Sequence, residues 1–275
     1  MLSALCPSLL TFSPAPLTIK TILTNQIYPV KPFCLLFNRD DLNDPNDPNE
    51  PMTESGKKLL ITIDGPAGAG KTTVSRMLAD RLGYRYIDTG ALYRGVALAV
   101  HDQGIDPENE TDLASLCGRL KLTFDANDKG LRLISNGEDI SDRIRSPEIT
   151  MLASAVSAKP VVRQYLLELQ RDLGSQKAAV FEGRDMGTVV FPDADVKFFL
   201  DASAKTRAQR RFEELKSKTP QSLKEVERDM KQRDHNDSTR QAAPLKPAPD
   251  AIIIDSTDLS AKQVVEAMLT HIGAA

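Results

Sequence analysis

One segment, Gly65 to Thr72, constrains the fold of this chain more than any other feature of its sequence. It runs Gly-Pro-Ala-Gly-Ala-Gly-Lys-Thr and fits the pattern G-x-x-x-x-G-K-[ST] in full. A continuous apolar run, Leu59 to Asp64, precedes it and predicts a buried parallel strand. Lys71 to Leu82 has the apolar spacing of a helix, and Gly83 is placed to end it. A strand, a glycine-rich loop and a helix in this order predict an α/β protein with a phosphate-binding loop.

The residue types of this loop suit the binding of a nucleotide phosphate. Glycines let the backbone curl so that N–H groups point inward at phosphate oxygens, and the positive end of the helix faces the same anion. Lys71 is expected to face solvent without ATP and to reach the β- and γ-phosphates, and the Thr72 hydroxyl is expected to bind Mg²⁺. The predicted nucleotide-binding residues are Gly65, Pro66, Ala67, Gly68, Ala69, Gly70, Lys71, Thr72 and Thr73. The alternative is a glycine-rich turn that binds nothing.

Further short apolar runs predict strands along the chain, and helical patterns occupy most of the intervals. The additional strands are expected at Tyr84 to Asp88, Ala178 to Glu182, Val196 to Leu200 and Ala251 to Asp255. The additional helices are expected at 91–102, 112–120, 147–174 (in two pieces, the second starting at Pro160), 204–216, 222–234 and 261–271, with Ser203 and Ser260 as caps. Five buried strands with helical crossovers predict a five-stranded parallel sheet flanked by helices.

The stretch from Lys121 to Ile140 interrupts this alternation. Apolar residues flank Asn127-Asp128-Lys129-Gly130, and this pattern predicts a β-hairpin around a turn. We therefore expect a small β insertion at about residues 118–145, within one folded domain of residues 57–275.

The first 56 residues lack sustained helical or alternating patterns. They contain eight prolines, and the acidic stretch from Asp40 to Glu50 is typical of a solvated linker. Three interpretations compete: a signal peptide, an organelle transit peptide, or a segment outside the natural folded protein. We favour the third, with the transit peptide second, because Met52 begins a plausible shorter chain directly before the first strand.

Composition excludes several classes of protein. The chain has 35 basic and 38 acidic residues and a net charge of −3, which gives no support for binding to nucleic acid. It has no apolar run long enough for a transmembrane helix, so no membrane partner is expected. Its three cysteines are scattered and lack metal-ligand spacing, which is typical of a reducing compartment. We expect a cytoplasmic protein.

The segment Glu182-Gly183-Arg184-Asp185 helps to decide among proteins with a phosphate-binding loop. An arginine beside an acid suits a second anionic substrate better than activation of water, as a motor ATPase would require. The Asn-Lys-x-Asp sequence of a GTPase is absent from the chain. Arginines are frequent near strand ends and polar clusters, and guanidinium groups match phosphate geometry. These features favour a small-molecule kinase.

Four segments together resemble the bacterial type of cytidylate kinase, a family of P-loop nucleoside monophosphate kinases. They are 63–71, Asp88-Thr89-Gly90-Ala91-Leu92-Tyr93-Arg94, the run 182–192 that begins Glu182-Gly183-Arg184-Asp185, and Arg233-Asp234-His235-Asn236-Asp237-Ser238-Thr239-Arg240. The resemblance extends from about Leu59 to Ile272 and implies a P-loop fold. It also implies transfer of the γ-phosphate of ATP to CMP or dCMP with Mg²⁺, by a monomer. The insertion matches the small β-domain that the family carries near the monophosphate site, and residues 203–222 match its helical lid.

The resemblance also implies roles for individual residues. Thr89, Arg94, Arg184 and Arg240 are expected around the acceptor phosphate; Ser154, Arg163 and Asp185 are expected to contact cytosine; Arg233 and Asp237 are expected to bind the sugar. Lys71, Arg184, Arg207, Arg210 and Arg211 are the expected catalytic residues, the last three closing over the ATP phosphates. Catalysis then consists of positioning and charge stabilisation and needs no general base, because the acceptor phosphate is already ionised.

Two positions depart from the usual pattern of the family. Glu182 stands where many members have aspartate; it keeps the charge and is one methylene longer, so a metal-linked role is left open for it. Asn236 stands where some members have arginine and is assigned no role. Two other functions remain open at this stage. One is a kinase for another acceptor, such as UMP, dTMP or shikimate, against which Arg163 and Asp185 argue. The other is a non-catalytic nucleotide-binding regulator, against which Lys71 and the arginines argue.

Overall fold

The computed structural model describes residues 57–127, 130–216 and 221–273. The predicted extension (1–56), the centre of the predicted β-turn (128–129) and part of the predicted lid (217–220) lie outside the described residues. Within those ranges, no helix is both long enough and apolar enough to span a bilayer.

Strands and helices alternate along most of the described chain. In chain order the elements are β1 (Leu60–Asp64), α1 (Lys71–Leu82), β2 (Arg85–Asp88), α2 (Thr89–Asp102), α3 (Glu110–Arg119), β3 (Leu122–Asn127), β4 (Gly130–Ser135), β5 (Glu138–Asp139), a 3₁₀ turn (Arg143–Arg145), α4 (Pro147–Val156), α5 (Pro160–Gly174), β6 (Ala179–Glu182), a π-helical turn (Met186–Val190), β7 (Val196–Asp201), α6 (Ala204–Leu215), α7 (Leu223–Thr239), β8 (Ile252–Asp255) and α8 (Ala261–Gly273).

Five strands form one parallel sheet in the order β2-β6-β1-β7-β8, which confirms the predicted fold class. The central strand β1 is buried along its whole length, and Ile61 lies opposite both Val180 of β6 and Val196 of β7. The expectation of five buried strands is wrong for β2 and β8, where several residues are partly exposed and Ile253 is 64% exposed. Each of these edge strands has a neighbour on one side only, so part of its surface meets solvent.

The apolar residues on and beside this sheet form several separate cores. Helices α1 and α8 pack together with residues of β1 and β7, including Val74, Leu78 and Phe198. A second core joins α2, α3, α4 and α5 to the insertion, in which β3, β4 and β5 form an antiparallel sheet as the hairpin pattern predicted. Leu122 and Leu133 of the insertion lie so close to α2 that a Cβ at Gly95 would be 3.0 Å from the Leu133 side chain.

Local sequence signals place most helix ends correctly. Helix α1 has the predicted bounds, and Gly83 ends it in the left-handed conformation at φ 62°. Ser203 and Ser260 cap α6 and α8 by accepting from backbone N–H groups at 3.2 and 3.3 Å. Helix α7 continues beyond its predicted end to Thr239, because its last turns are polar and lack the apolar spacing on which the prediction depended.

Candidate active site

The loop between β1 and α1 has the backbone conformation that a phosphate-binding loop requires. Gly65, Gly68 and Gly70 have φ values of 146°, 74° and 93°, a region that favours glycine. A Cβ at Gly65 would lie 2.0 Å from the Leu200 carbonyl oxygen, so no other residue fits there. In the described chain no side chain caps the start of α1, where Thr72 and Thr73 are exposed. Its first N–H groups are therefore available to an anion.

Lys71 does not face solvent, contrary to the expectation from the sequence. It is 7% exposed, and its Nζ donates to the Pro66 carbonyl oxygen at 2.7 Å within the same loop. Burial, and secondarily the positive charge of Arg184, lower the pKa of Lys71, while Glu182 opposes that shift. The loop therefore folds around its own lysine, and a phosphate must compete with the Pro66 carbonyl for the ammonium group.

Glu182 is a site residue whose role sequence analysis left open. It ends β6 beside Asp88 of the neighbouring strand, and its Oε1 accepts from the Thr72 hydroxyl at 2.9 Å. Among the described atoms, its buried Oε2 has no hydrogen-bond partner. Burial, followed by the negative charge of Asp88, raises the pKa of Glu182. The signal that could have revealed it is its place at the carboxyl end of a strand in a parallel sheet, where ligands bind.

Asp185 lies at the centre of a buried cluster of charges. It is 2% exposed and accepts a hydrogen bond from the Nη2 of Arg163, which comes from α5. The Nη2 of Arg240, at the end of α7, lies 3.6 Å from its other carboxylate oxygen. Both arginines also donate to Ser157, Arg163 to the carbonyl oxygen at 3.2 Å and Arg240 to the hydroxyl at 3.3 Å. Burial raises the pKa of Asp185 and the two guanidinium groups oppose the shift.

A second ion pair adjoins this cluster. The Nε of Arg184 donates to Asp237 Oδ2 at 2.9 Å, and Asp237 Oδ1 lies 3.9 Å from Arg240. Burial and the charge of Arg184 lower the pKa of Arg233 to about 10. Within the described ranges, Ser154 Oγ, Arg233 Nε and Arg240 Nη2 are buried without a hydrogen-bond partner. Because buried polar groups are normally paired, these atoms indicate a place for a polar ligand.

Thr89 and Arg94 lie at the start of α2. The Thr89 hydroxyl is buried and donates to the Glu182 carbonyl oxygen at 2.7 Å. Arg94 donates to Asp88 Oδ2 at 2.7 Å, while Asp88 Oδ1 caps the helix by accepting from the Ala91 N–H at 3.1 Å. Both predicted phosphate contacts are therefore held beside Glu182 by hydrogen bonds to the protein.

The three arginines of α6 differ in their surroundings. Arg207 is buried and donates to the carbonyl oxygens of Ala202 and Ala67 and to Asp234, at 2.9, 3.0 and 2.6 Å. Arg210 donates to Ser256, at 3.0 Å to its hydroxyl and 2.7 Å to its carbonyl oxygen. Arg211 pairs with Glu214 one turn further along the helix, at 2.9 Å. In this conformation Arg207 links α6 to the phosphate loop and to α7.

Comparison with known proteins identifies the family. Residues 61–274 match the family model described as cytidylate kinase. The chain belongs to the cytidylate kinase family. Over 219 residues it is 51% identical to the cytidylate kinase of Geobacter sulfurreducens, covering 79% of this chain and 94% of that protein. Over 217 residues it is 45% identical to the cytidylate kinase of Mannheimia succiniciproducens, covering 78% and 96%.

Membership in this family confirms the function that the four sequence segments implied. The chain is a (d)CMP kinase, a phosphotransferase that uses ATP to phosphorylate CMP or dCMP. GTPase and motor functions are accordingly ruled out, as the sequence indicated.

Proposed function

We propose that the described residues divide the (d)CMP kinase reaction among three groups. The phosphate loop with Lys71 binds the β- and γ-phosphates of ATP. Thr72 and Glu182 would hold Mg²⁺. Asp185 and Arg163 select cytosine on the acceptor side. The products are CDP or dCDP and ADP.

The selection of cytosine follows from hydrogen-bond complementarity. Cytosine presents an amine donor beside a ring-nitrogen acceptor, whereas uracil presents an oxygen acceptor beside an N–H donor. The Asp185 carboxylate accepts from the cytosine amine, and Arg163 donates to the ring nitrogen or carbonyl. UMP reverses the pattern at the exocyclic group and at the ring nitrogen, whereas the C2 carbonyl is the same in both bases, and each mismatched buried group costs about 1–3 kcal/mol. Ser154, whose buried hydroxyl lacks a partner in the described chain, supplies a further contact to the base.

The remaining arginines neutralise the approaching phosphates. Arg184 and Arg240 are oriented by Asp237, and together with Arg94 they stabilise the charge of the acceptor phosphate. Arg233 and Asp237 bind the sugar through its 3′-hydroxyl, which makes dCMP as acceptable as CMP. Arg207, Arg210 and Arg211 act on the ATP side. No residue needs to remove a proton, because the acceptor oxygen is already ionised.

The residues beside the loop fit a magnesium ion. The Thr72 hydroxyl and the unpartnered Glu182 Oε2 are oxygen donors, which Mg²⁺ prefers. The described part of the chain contains no group of three or more His, Cys, Asp or Glu side chains that could hold a metal by themselves. This agrees with an ion that also takes ligands from substrate phosphates and water. When bound, Mg²⁺ neutralises charge on the β- and γ-phosphate oxygens.

The wider setting of the enzyme is also part of the proposal. The small-molecule substrates of the family and the near-balanced charge support a cytoplasmic monomer that binds neither nucleic acid nor membrane. The folded kinase domain comprises residues 57–275, with the insertion beside the acceptor site and the lid at 203–222. Sedimentation at several protein concentrations tests the monomer, which a rise in mass with concentration would contradict.

The single observation that supports this proposal is the buried Asp185 between Arg163 and Arg240. The test is a coupled assay of ADP release with CMP, dCMP, UMP, dTMP and shikimate as acceptors. We expect kcat/KM for CMP to exceed that for UMP by roughly two orders of magnitude, since two buried groups are mismatched. Comparable values for CMP and UMP would overturn the assignment of the base contacts. Faster reaction with dTMP or shikimate would favour a kinase for that acceptor.

A further inference from the structure

A π-helical turn, Met186–Val190, follows Asp185 directly. Such turns are rare and occur frequently at functional sites. The N–H groups of Val189 and Val190 donate to the Asp185 carbonyl oxygen at 2.9 and 3.2 Å. The position of the Asp185 backbone therefore depends on the position of this turn.

Asp64, the last residue of β1, holds the start of the turn. Its two carboxylate oxygens accept from the N–H groups of Met186 at 2.9 Å and of Gly187 at 2.8 Å. Asp64 is 3% exposed, and in the described chain these are its only side-chain hydrogen bonds. A carboxylate that accepts hydrogen bonds from two adjacent N–H groups constrains both the direction of the turn and its distance from the end of β1.

The other end of the turn is held by a second charged side chain. Arg171 of α5 donates to the carbonyl oxygens of Val190 at 3.2 Å and Val189 at 3.3 Å. The middle of the turn has little freedom, because a Cβ at Gly187 would lie 3.2 Å from the side chains of Thr62 and Lys197. The turn is thus anchored at both ends and closely packed between them.

We propose that Asp64 is a positioning residue for the acceptor nucleotide. It is joined directly to Gly65 of the phosphate loop and bonded to the turn that supports Asp185, so it sets the distance between the donor and acceptor sites. This inference rests on the proposed role of Asp185 in selecting cytosine. Misplacement by even an ångström is costly in a transfer reaction that depends on positioning.

The variant Asp64→Asn tests the inference because it replaces one acceptor oxygen by an NH₂ group that opposes a backbone N–H. We expect KM for CMP to rise more than KM for ATP, and the CMP-to-UMP ratio of kcat/KM to fall roughly tenfold. The matched control is Asp201→Asn, at the end of the neighbouring strand β7, where the side chain accepts from the Ala202 N–H. The control is expected to keep the wild-type ratio. A purely structural role for Asp64 would lower the melting temperature and leave the ratio unchanged.

A second variant covers the case in which Asp64→Asn does not fold. Arg171→Met keeps the apolar stem of an exposed side chain and removes its hydrogen bonds to the turn. It is also expected to lower the CMP-to-UMP ratio of kcat/KM, by a smaller factor than Asp64→Asn. The inference is overturned if folded Asp64→Asn keeps the wild-type CMP-to-UMP ratio of kcat/KM. If Asp64→Asn is unfolded, a wild-type ratio in Arg171→Met overturns it. If the wild-type enzyme itself shows no preference for CMP over UMP, the proposed selection of cytosine by Asp185 is wrong. This result is distinguishable from a failure of the inference about Asp64, which requires a wild-type enzyme that prefers CMP.

Discussion

Replacement of Asp185 by asparagine separates the stabilising role of this residue from its role in base selection. The carboxylate is 2% exposed and faces two guanidinium groups, from Arg163 and Arg240. Asparagine has nearly the same shape but no charge, and its NH₂ group opposes one of the two arginines. Removal of one partner from a buried ion pair typically costs about 3–5 kcal/mol. We therefore expect Asp185→Asn to lower the free energy of unfolding by about 3–5 kcal/mol.

The effect on specificity is calculated from the contacts to the base. Asp185→Asn removes the preference of the carboxylate for the cytosine amine, because an amide group can accept from cytosine or donate to uracil. One of two mismatches against UMP is thereby relieved, which is worth about 1–3 kcal/mol. At about 1.4 kcal/mol per factor of ten, the CMP-to-UMP ratio of kcat/KM is expected to fall by roughly 5- to 150-fold. KM for ATP is expected to change much less.

The assay measures kcat/KM for CMP and UMP by coupled ADP release, and stability by urea unfolding at pH 7. Asp250→Asn is the control, because it removes the carboxylate partner of the buried Lys197 ammonium at a surface position that makes no hydrogen bond to Asp185, Arg163 or Arg240. The control is expected to lose stability and to keep the wild-type ratio. A folded Asp185→Asn enzyme with the wild-type ratio would refute the reasoning.

Four further outcomes are expected. Lys71→Ala is expected to lower kcat by at least roughly 10²- to 10³-fold, the effect of losing one preorganised donor, while unfolding stays cooperative; near-normal turnover contradicts the assignment of the loop. Glu182→Gln is expected to raise the Mg²⁺ concentration for half-maximal rate roughly tenfold, as for other residues that position a metal, and an unchanged Mg²⁺ titration argues against the proposed site. Burial raises the pKa of Asp64 to about 6, above its unfolded value, so the stability of the wild type relative to Asp64→Asn is expected to fall by about 3 kcal/mol as the pH rises from about 3 to about 7; urea unfolding at several pH values measures this difference, which would otherwise stay constant. A chain beginning at Met52 is expected to keep full activity and melting temperature, since residues 1–51 have no pattern that predicts a core, and a melting temperature several degrees lower would contradict this.

Sequence alone determined the parts of this protein that depend on local chemistry. The glycine-rich loop, the ends of α1 and the caps at Ser203 and Ser260 were predictable, because each follows from residues within one turn of its position. The five strands were predictable because apolar runs between helical patterns are typical of parallel sheets. The resemblance of four segments to the cytidylate kinases also indicated the family that the comparisons then established.

Only the tertiary structure decided which distant groups meet and how they are buried. Thr72 and Glu182 are far apart in the chain, and their hydrogen bond exists because α1 packs beside β6. The burial of Lys71 depends on how the loop folds around the side chain. The π-helical turn has no periodic pattern of its own and depends on Asp64 and Arg171, which come from other elements. Packing brings these charges together, and a pattern that extends over a few neighbouring residues contains no information about such partners.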